Sequence, residues 1–196
     1  MEVQRPNSVE VTWQAPPLVH HNGPILSYII RYFPSNESDM TQDSHVTADG
    51  GEATQRKTLS NLEPFTRYSF RVSAVNAAGA GPFSVAVEGT TEEDVPGQVH
   101  SISGFTLSST SVELSWTPPL DPNGNITGYH IEYLPVTENG IHDNREVNIT
   151  TPAVSYTVTG LEENTLYHFT VSAETSAGRG EGSTVSVRTS IARESL

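Results

Sequence analysis

The chain has 196 residues, a formal charge of −13, 35% hydrophobic and 17% charged residues, and no cysteine. It is too apolar for disorder, and long enough for one large domain or two of about a hundred residues each. Lys57 is its single lysine, so no basic stripe exists for nucleic acid, heparin-like polyanions or an anionic membrane surface. Disulfide frameworks and thiolate metal sites are excluded too.

No run of about eighteen apolar residues occurs, and Met1-Glu-Val-Gln-Arg5 lacks the apolar core of a signal peptide. The sequence therefore reads as cytosolic or as a piece of a longer protein. The first strand signal is Val9, Val11 and Trp13, alternating with polar residues as a half-buried antiparallel strand does. Pro16-Pro17 and Asn22-Gly23 mark turns before a second alternation, Tyr28, Ile30 and Tyr32. Gly50-Gly51 marks another turn, and Tyr68, Phe70, Val72 and Ala74 form a long strand that ends at the Gly79 to Gly81 turn. Thr90 to Pro96, a like-charge run closed by a proline, ends one sheet system and starts the next.

The same series then recurs. Ser8-Val-Glu-Val-Thr-Trp13 returns as Ser111-Val-Glu-Leu-Ser-Trp116, and Tyr28-Ile-Ile-Arg-Tyr32 as Tyr129-His-Ile-Glu-Tyr133. Leu62-Glu-Pro-Phe-Thr66-Arg-Tyr68 returns as Leu161-Glu-Glu-Asn-Thr165-Leu-Tyr167. Three blocks in one order make a tandem duplication. The fold class expected is all-β, two consecutive seven-stranded immunoglobulin-like sandwiches over residues 1–92 and 96–192. Ahead of Trp116 the second repeat has Val99, Ile102 and Phe105 to build an edge strand, whereas the first has only Met1 to Arg5. The first edge strand is accordingly expected to be truncated, leaving the Val9 to Trp13 strand open on one side.

The tryptophan followed by Pro-Pro, the Asn-Gly turn, Tyr-x-Ile-x-Tyr, Leu-x-x-x-Thr-x-Tyr and the Ala-Gly-x-Gly turn resemble the fibronectin type III pattern, twice over nearly the whole chain. The resemblance implies that Tyr68 and Tyr167 are structural, each hydroxyl returning to nearby backbone. In the second copy Glu163 stands where the first has Pro64. The arrangement is similar to ectodomain arrays of cell-surface receptors and adhesion proteins of the receptor tyrosine phosphatase, netrin-receptor or contactin type. That implies a non-catalytic interaction or adhesion pair, extracellular and at the cell surface, joined to a membrane only through the parent protein. Its partner would be a protein ligand or co-receptor. The alternative is a passive spacer in a muscle-type giant protein or a secreted carbohydrate-active enzyme.

No catalytic, cofactor or metal constellation is expected. The neighbours His20 and His21 would point to opposite faces of a strand and read as a solvated loop, and Glu92, Glu93 and Asp94 read as a solvated linker. With Tyr28, Ile30 and Tyr32 facing in, Ile29, Arg31 and Phe33 face out beside Arg71 and Val75, an apolar stripe edged with arginine. These residues are the partner-binding candidates. The equivalent positions of the second repeat, His130, Glu132, Leu134, His168 and Glu174, are polar and acidic. A weaker candidate is the loop Arg179-Gly180-Glu181, one methylene from the Arg-Gly-Asp tripeptide. The uncharged Gly79-Ala-Gly81 of the first repeat occupies the same turn, which favours a plain turn that needs glycine. Sequons at Asn36, Asn125 and Asn148 are candidates for glycosylation.

Overall fold

The computed structural model describes residues 2–36, 41–47, 54–136, 144–151 and 153–192, without the side chains of 2–4. The Gly50-Gly51 turn and Ser38 of the first sequon lie outside the described residues. The chain divides into two compact units, 1–92 and 93–196. Among the described residues, no helix is long and apolar enough to cross a membrane.

In the first unit, β1 (Glu2–Arg5), β2 (Ser8–Gln14) and β5 (Thr54–Ser60) form one antiparallel sheet in the order β1-β2-β5. β4 (Gln42–Thr47), β3 (Ser27–Pro34) and β6 (Arg67–Asn76) form the other, with β7 (Gly79–Ala80) and β8 (Val87–Thr90) as two pieces of one last strand along β6. The second unit repeats this plan. β9 (His100–Ser108), β10 (Ser111–Thr117) and β13 (Ser155–Thr159) face β12 (Arg145–Ile149), β11 (Gly128–Pro135) and β14 (Leu166–Thr175), and β15 (Gly178–Arg179) and β16 (Ser183–Arg188) line β14. Seven strand positions in two sheets make each unit the immunoglobulin-like sandwich that the alternation implies.

The alternating residues meet between the sheets. Val9, Ile30, Leu59 and Phe70 form the first core, and Val112, Leu114, Ile131, Phe169 and Val171 the second. Each such side chain, fully buried, stabilises by about 1.5–3 kcal/mol relative to exposure. The tyrosine corners close in both units: the Tyr68 hydroxyl accepts from the Glu63 amide at 2.9 Å, and the Tyr167 hydroxyl from the Glu162 amide at 3.0 Å. Phe65 and Asn164 hold the same left-handed φ of 48° at this corner. Exchanging Pro64 for Glu163 leaves its backbone unchanged.

Edge strands β1 and β9 share a register but differ in length. Glu2 pairs with Glu10 and Val3 with Val9, as Phe105 pairs with Glu113 and Thr106 with Val112. Residues 2–5 thus form the edge strand over Ser8 to Glu10. Past Glu10, β2 has no partner on that side among the described residues, whereas β9 continues through Gly104 and Ser103 to His100 opposite Thr117.

Candidate functional site

On the outer face of the first unit, β3 and β6 set Arg31 opposite Arg71, Ile29 opposite Ser73 and Phe33 opposite Ser69. On the other flank Asp43 of β4 faces Arg31. The guanidinium donates to both oxygens of Asp43 at 2.8 Å and lies 4.5 Å above the centroid of the Phe83 ring. The paired arginine holds the Asp43 carboxyl below its ordinary 3.8. A fork, an acid and an aromatic plate thus hold one arginine side chain in place. Ile29, Arg31 and Phe33 are half-buried while Arg71 is exposed, so Arg71 is the most open residue of the stripe. The most exposed apolar residues of this unit lie elsewhere, Leu18 at 84% and Val85 at 85%.

A crevice of about 950 Å³ opens between the sheets of the same unit, lined by Val11, Trp13, Tyr28, Val72, Val85 and Val87. In the second unit the corresponding space is closed by Val99 and the first half of β9. Val99 is buried and its carbonyl accepts from the Ser183 hydroxyl at 2.8 Å, Ile102 packs on the core, and a Cβ on Gly104 would come within 2.5 Å of Val187.

The outer face of the second unit has the same register and different chemistry. His130 stands opposite Asn148 and Glu132 opposite Glu146. His130 is 1% exposed, and its Nδ1 bonds to Asn148 Oδ1, which can only accept. The other ring nitrogen, Nε2, is buried with no hydrogen bond, 3.3 Å from Glu132 Oε1 and 3.8 Å from Glu146 Oε2. Arg179 Nη1 approaches the same Glu132 oxygen at 3.4 Å.

Arg179 therefore leans onto its own sheet. The turn around it is built by glycine: Gly178 has φ +132°, matching Gly79 at +129° in the first unit, and a Cβ on Gly180 would strike the Pro96 carbonyl at 2.0 Å. The same backbone forms with and without charge. His20 and His21 fall in a one-turn 3-10 segment, Leu18–His20, and the residue after it, with His21 Nε2 2.7 Å from the Pro16 carbonyl. The linker acids differ from the expected solvated run most clearly at Glu93. Glu93 Oε1 accepts from the Asn125 backbone amide at 2.9 Å and Nδ2 at 3.1 Å, and its other oxygen binds the Ser176 hydroxyl. Those bonds, the Ser176 hydroxyl first, hold the Glu93 carboxyl below its ordinary 4.5.

Comparison with known proteins gives a match to the fibronectin type III domain over residues 1–90 and again over 96–189. The chain belongs to the fibronectin type III family. The fibronectin type III pair is similar to neural cell adhesion molecule L1 of Takifugu rubripes, 30% identical over 91% of this chain and 14% of that protein. It also resembles the cell adhesion molecule Dscam1 of Drosophila melanogaster, 31% identical over 90% of this chain and 8% of that protein. A third relative, human DSCAML1, is 34% identical over 91% of this chain and 9% of that protein. The chain thus spans only a small part of the relatives it matches. They are cell adhesion molecules with fibronectin type III repeats, which supports an adhesion and interaction module pair and does not favour the spacer alternatives.

The sequence already marked His130 and Glu132 as outward residues, but not the convergence of His130 with Glu132 and Glu146. The signal was there: His-x-Glu on one strand puts both side chains on one face, and Glu146-Val-Asn148 has the same spacing. Which strand pairs with which, and in what register, was missing. All three sequon asparagines are exposed, and Asn125 engages its amide nitrogen with Glu93.

Proposed function

We propose that this pair is an extracellular, non-catalytic adhesion module of a cell-surface protein, and that the first domain's face of Ile29, Arg31, Phe33 and Arg71 takes a protein ligand or co-receptor. The observation that carries the reading is the Arg31 assembly together with the adhesion-molecule relatives. The bidentate Asp43 contact and the Phe83 ring already restrict the arginine, so less side-chain freedom is lost when a partner docks on it. Arginine beside aromatic surface is the composition that interface hot spots favour. Asn36 and Asn148 are the favoured glycan sites, since the Asn125 amide nitrogen is already bonded.

The test is to immobilise the two-domain chain, secreted from a eukaryotic host, and screen it against a panel of cell-surface ectodomains, itself included. Binding to at least one ectodomain is expected, weakened at least about tenfold by Arg31→Glu and unchanged by Glu181→Ala. If Glu181→Ala has the larger effect, the Arg179-Gly180-Glu181 turn is the contact instead. If no ectodomain binds, the adhesion reading fails. A glycosidase digest of the secreted chain should lower its mass; an unchanged mass removes support for the extracellular assignment.

A further inference from the structure

The two outer sheet faces carry different side chains on one geometry. At the cross-strand position where the first domain pairs Arg31 with Asp43, the second pairs Glu132 with Glu146. Where the first has Ile29 opposite His45, the second has His130 opposite Asn148. Like charges directly opposite each other on antiparallel strands are destabilising. Arg179 Nη1 stands 3.4 Å from one Glu132 oxygen. Between the two carboxylates lies a buried ring nitrogen with no hydrogen bond.

The tautomer decides what that nitrogen can do. Asn148 Oδ1 accepts, so Nδ1 of His130 carries the hydrogen, and the neutral ring leaves a lone pair on Nε2, 3.3 Å from a Glu132 oxygen and 3.8 Å from a Glu146 oxygen. Three acceptors clustered this closely attract a cation. We propose that His130 Nε2, Glu132 and Glu146 form a binding site for a divalent transition cation of the zinc class on the outer face of the second domain, with Asn148 as the residue that positions the imidazole. Tetrahedral zinc with bonds of about 2.0–2.1 Å holds its donors roughly 3.3 Å apart. His130 Nε2 and Glu132 Oε1 stand at 3.3 Å, His130 Nε2 and Glu146 Oε2 at 3.8 Å, and all three donor atoms lie within 4.8 Å of one another. Glu146 has 55% of its side chain exposed and is free to close the remaining gap by rotation.

An imidazole with two carboxylates suits zinc, whereas calcium and magnesium take oxygen donors throughout. A ligating histidine that donates its other N–H to an oxygen acceptor is the usual outer-shell arrangement, here supplied by Asn148. Three protein donors leave a fourth position on the solvent side for water or for a donor from a docked protein. Binding would join β11 to β12 and let Arg179 shift to the other Glu132 oxygen.

The experiment is calorimetric titration of the metal-free two-domain protein with zinc chloride at neutral pH, with magnesium chloride as control. One saturable zinc site per chain is expected, with no heat from magnesium. Glu146→Gln, at an exposed residue that leaves the core intact, should abolish saturable zinc binding. Asn148→Ala should weaken it about 10- to 100-fold, while His20→Ala with His21→Ala should leave it unchanged. Nitrogen NMR of the apo protein should show His130 protonated at Nδ1, and zinc should shift the Nε2 resonance. Absence of a saturable site, binding indifferent to Glu146→Gln, or a hydrogen found on Nε2 in the apo protein would each overturn the site.

Discussion

Trp13 and Trp116 occupy one position in two copies of the same sandwich, yet their surroundings differ. Each meets a tyrosine of the facing sheet edge-on, Trp13 with Tyr28 at 5.3 Å and Trp116 with Tyr129 at 5.2 Å. Trp116 is 3% exposed, while Trp13 is half-buried against an open crevice. On the last strand Val185 packs on its core, whereas Val87, paired with β6 as Val185 is with β14, is 51% exposed. The difference lies in the edge strand. Val99, with Ile102 and Gly104 of β9, closes the second sandwich, and among the described residues β1 begins at Glu2, opposite Glu10. The aromatic pair is fixed by local pleat and register. Closure of the core depends on a strand that reaches across the gap between the sheets.

The largest test of this comparison is truncation of each tryptophan. Trp116→Ala should cost about 3–5 kcal/mol, the range for a large aromatic lost from a closed core. Trp13→Ala should cost at least about 1 kcal/mol less, since part of its ring already meets solvent. Calorimetric unfolding of the two-domain chain, with one transition followed per domain, measures both. Equal costs would mean that the crevice leaves the first core no looser.

A finer test reads the edge strand residue by residue. Hydrogen exchange of Val11 to Trp13, scaled to Ser8 to Glu10 within the same domain, should be faster than that of Leu114 to Trp116 scaled to Ser111 to Glu113. The scaling removes any difference in global stability. If the two ratios coincide, β1 protects all of β2 as well as β9 protects β10.

The smallest effect distinguishes the outer faces by pH. Asp43 is held below its ordinary 3.8 by Arg31. Its contribution is therefore present above that value and is lost as pH falls through the lower folded-state value. The second domain has Glu146 at this position and no arginine across the strand from it. Acid titration from neutral pH should reveal an Asp43-linked loss of stability in the first domain that Asp43→Asn removes. A wild-type and variant pair with the same acid profile would show that the ion pair adds nothing to folding.

Much of this is legible in the sequence. The strands, the duplication and the tyrosine corners follow from period-2 alternation and from blocks recurring in order, because burying alternate residues is a local constraint on sequence. The outward stripe was legible for the same reason. Its use of Phe83 as a plate beneath Arg31 was not, since that ring comes from a segment 52 residues away in the chain. Likewise Glu93, part of a like-charge run, finds the Asn125 amides and the Ser176 hydroxyl only when two distant loops approach it.

Local residue patterning dictates which residues face the core and that glycine must stand in the Gly79 and Gly178 turns. Each of these depends on the geometry of a few consecutive residues. Only the assembled fold brings Arg179 onto Glu132 and gathers His130, Glu132 and Glu146 into one cluster. These depend on strand register and on which strand lies beside which, and register is set by pairing across the fold rather than by any one strand's own residues.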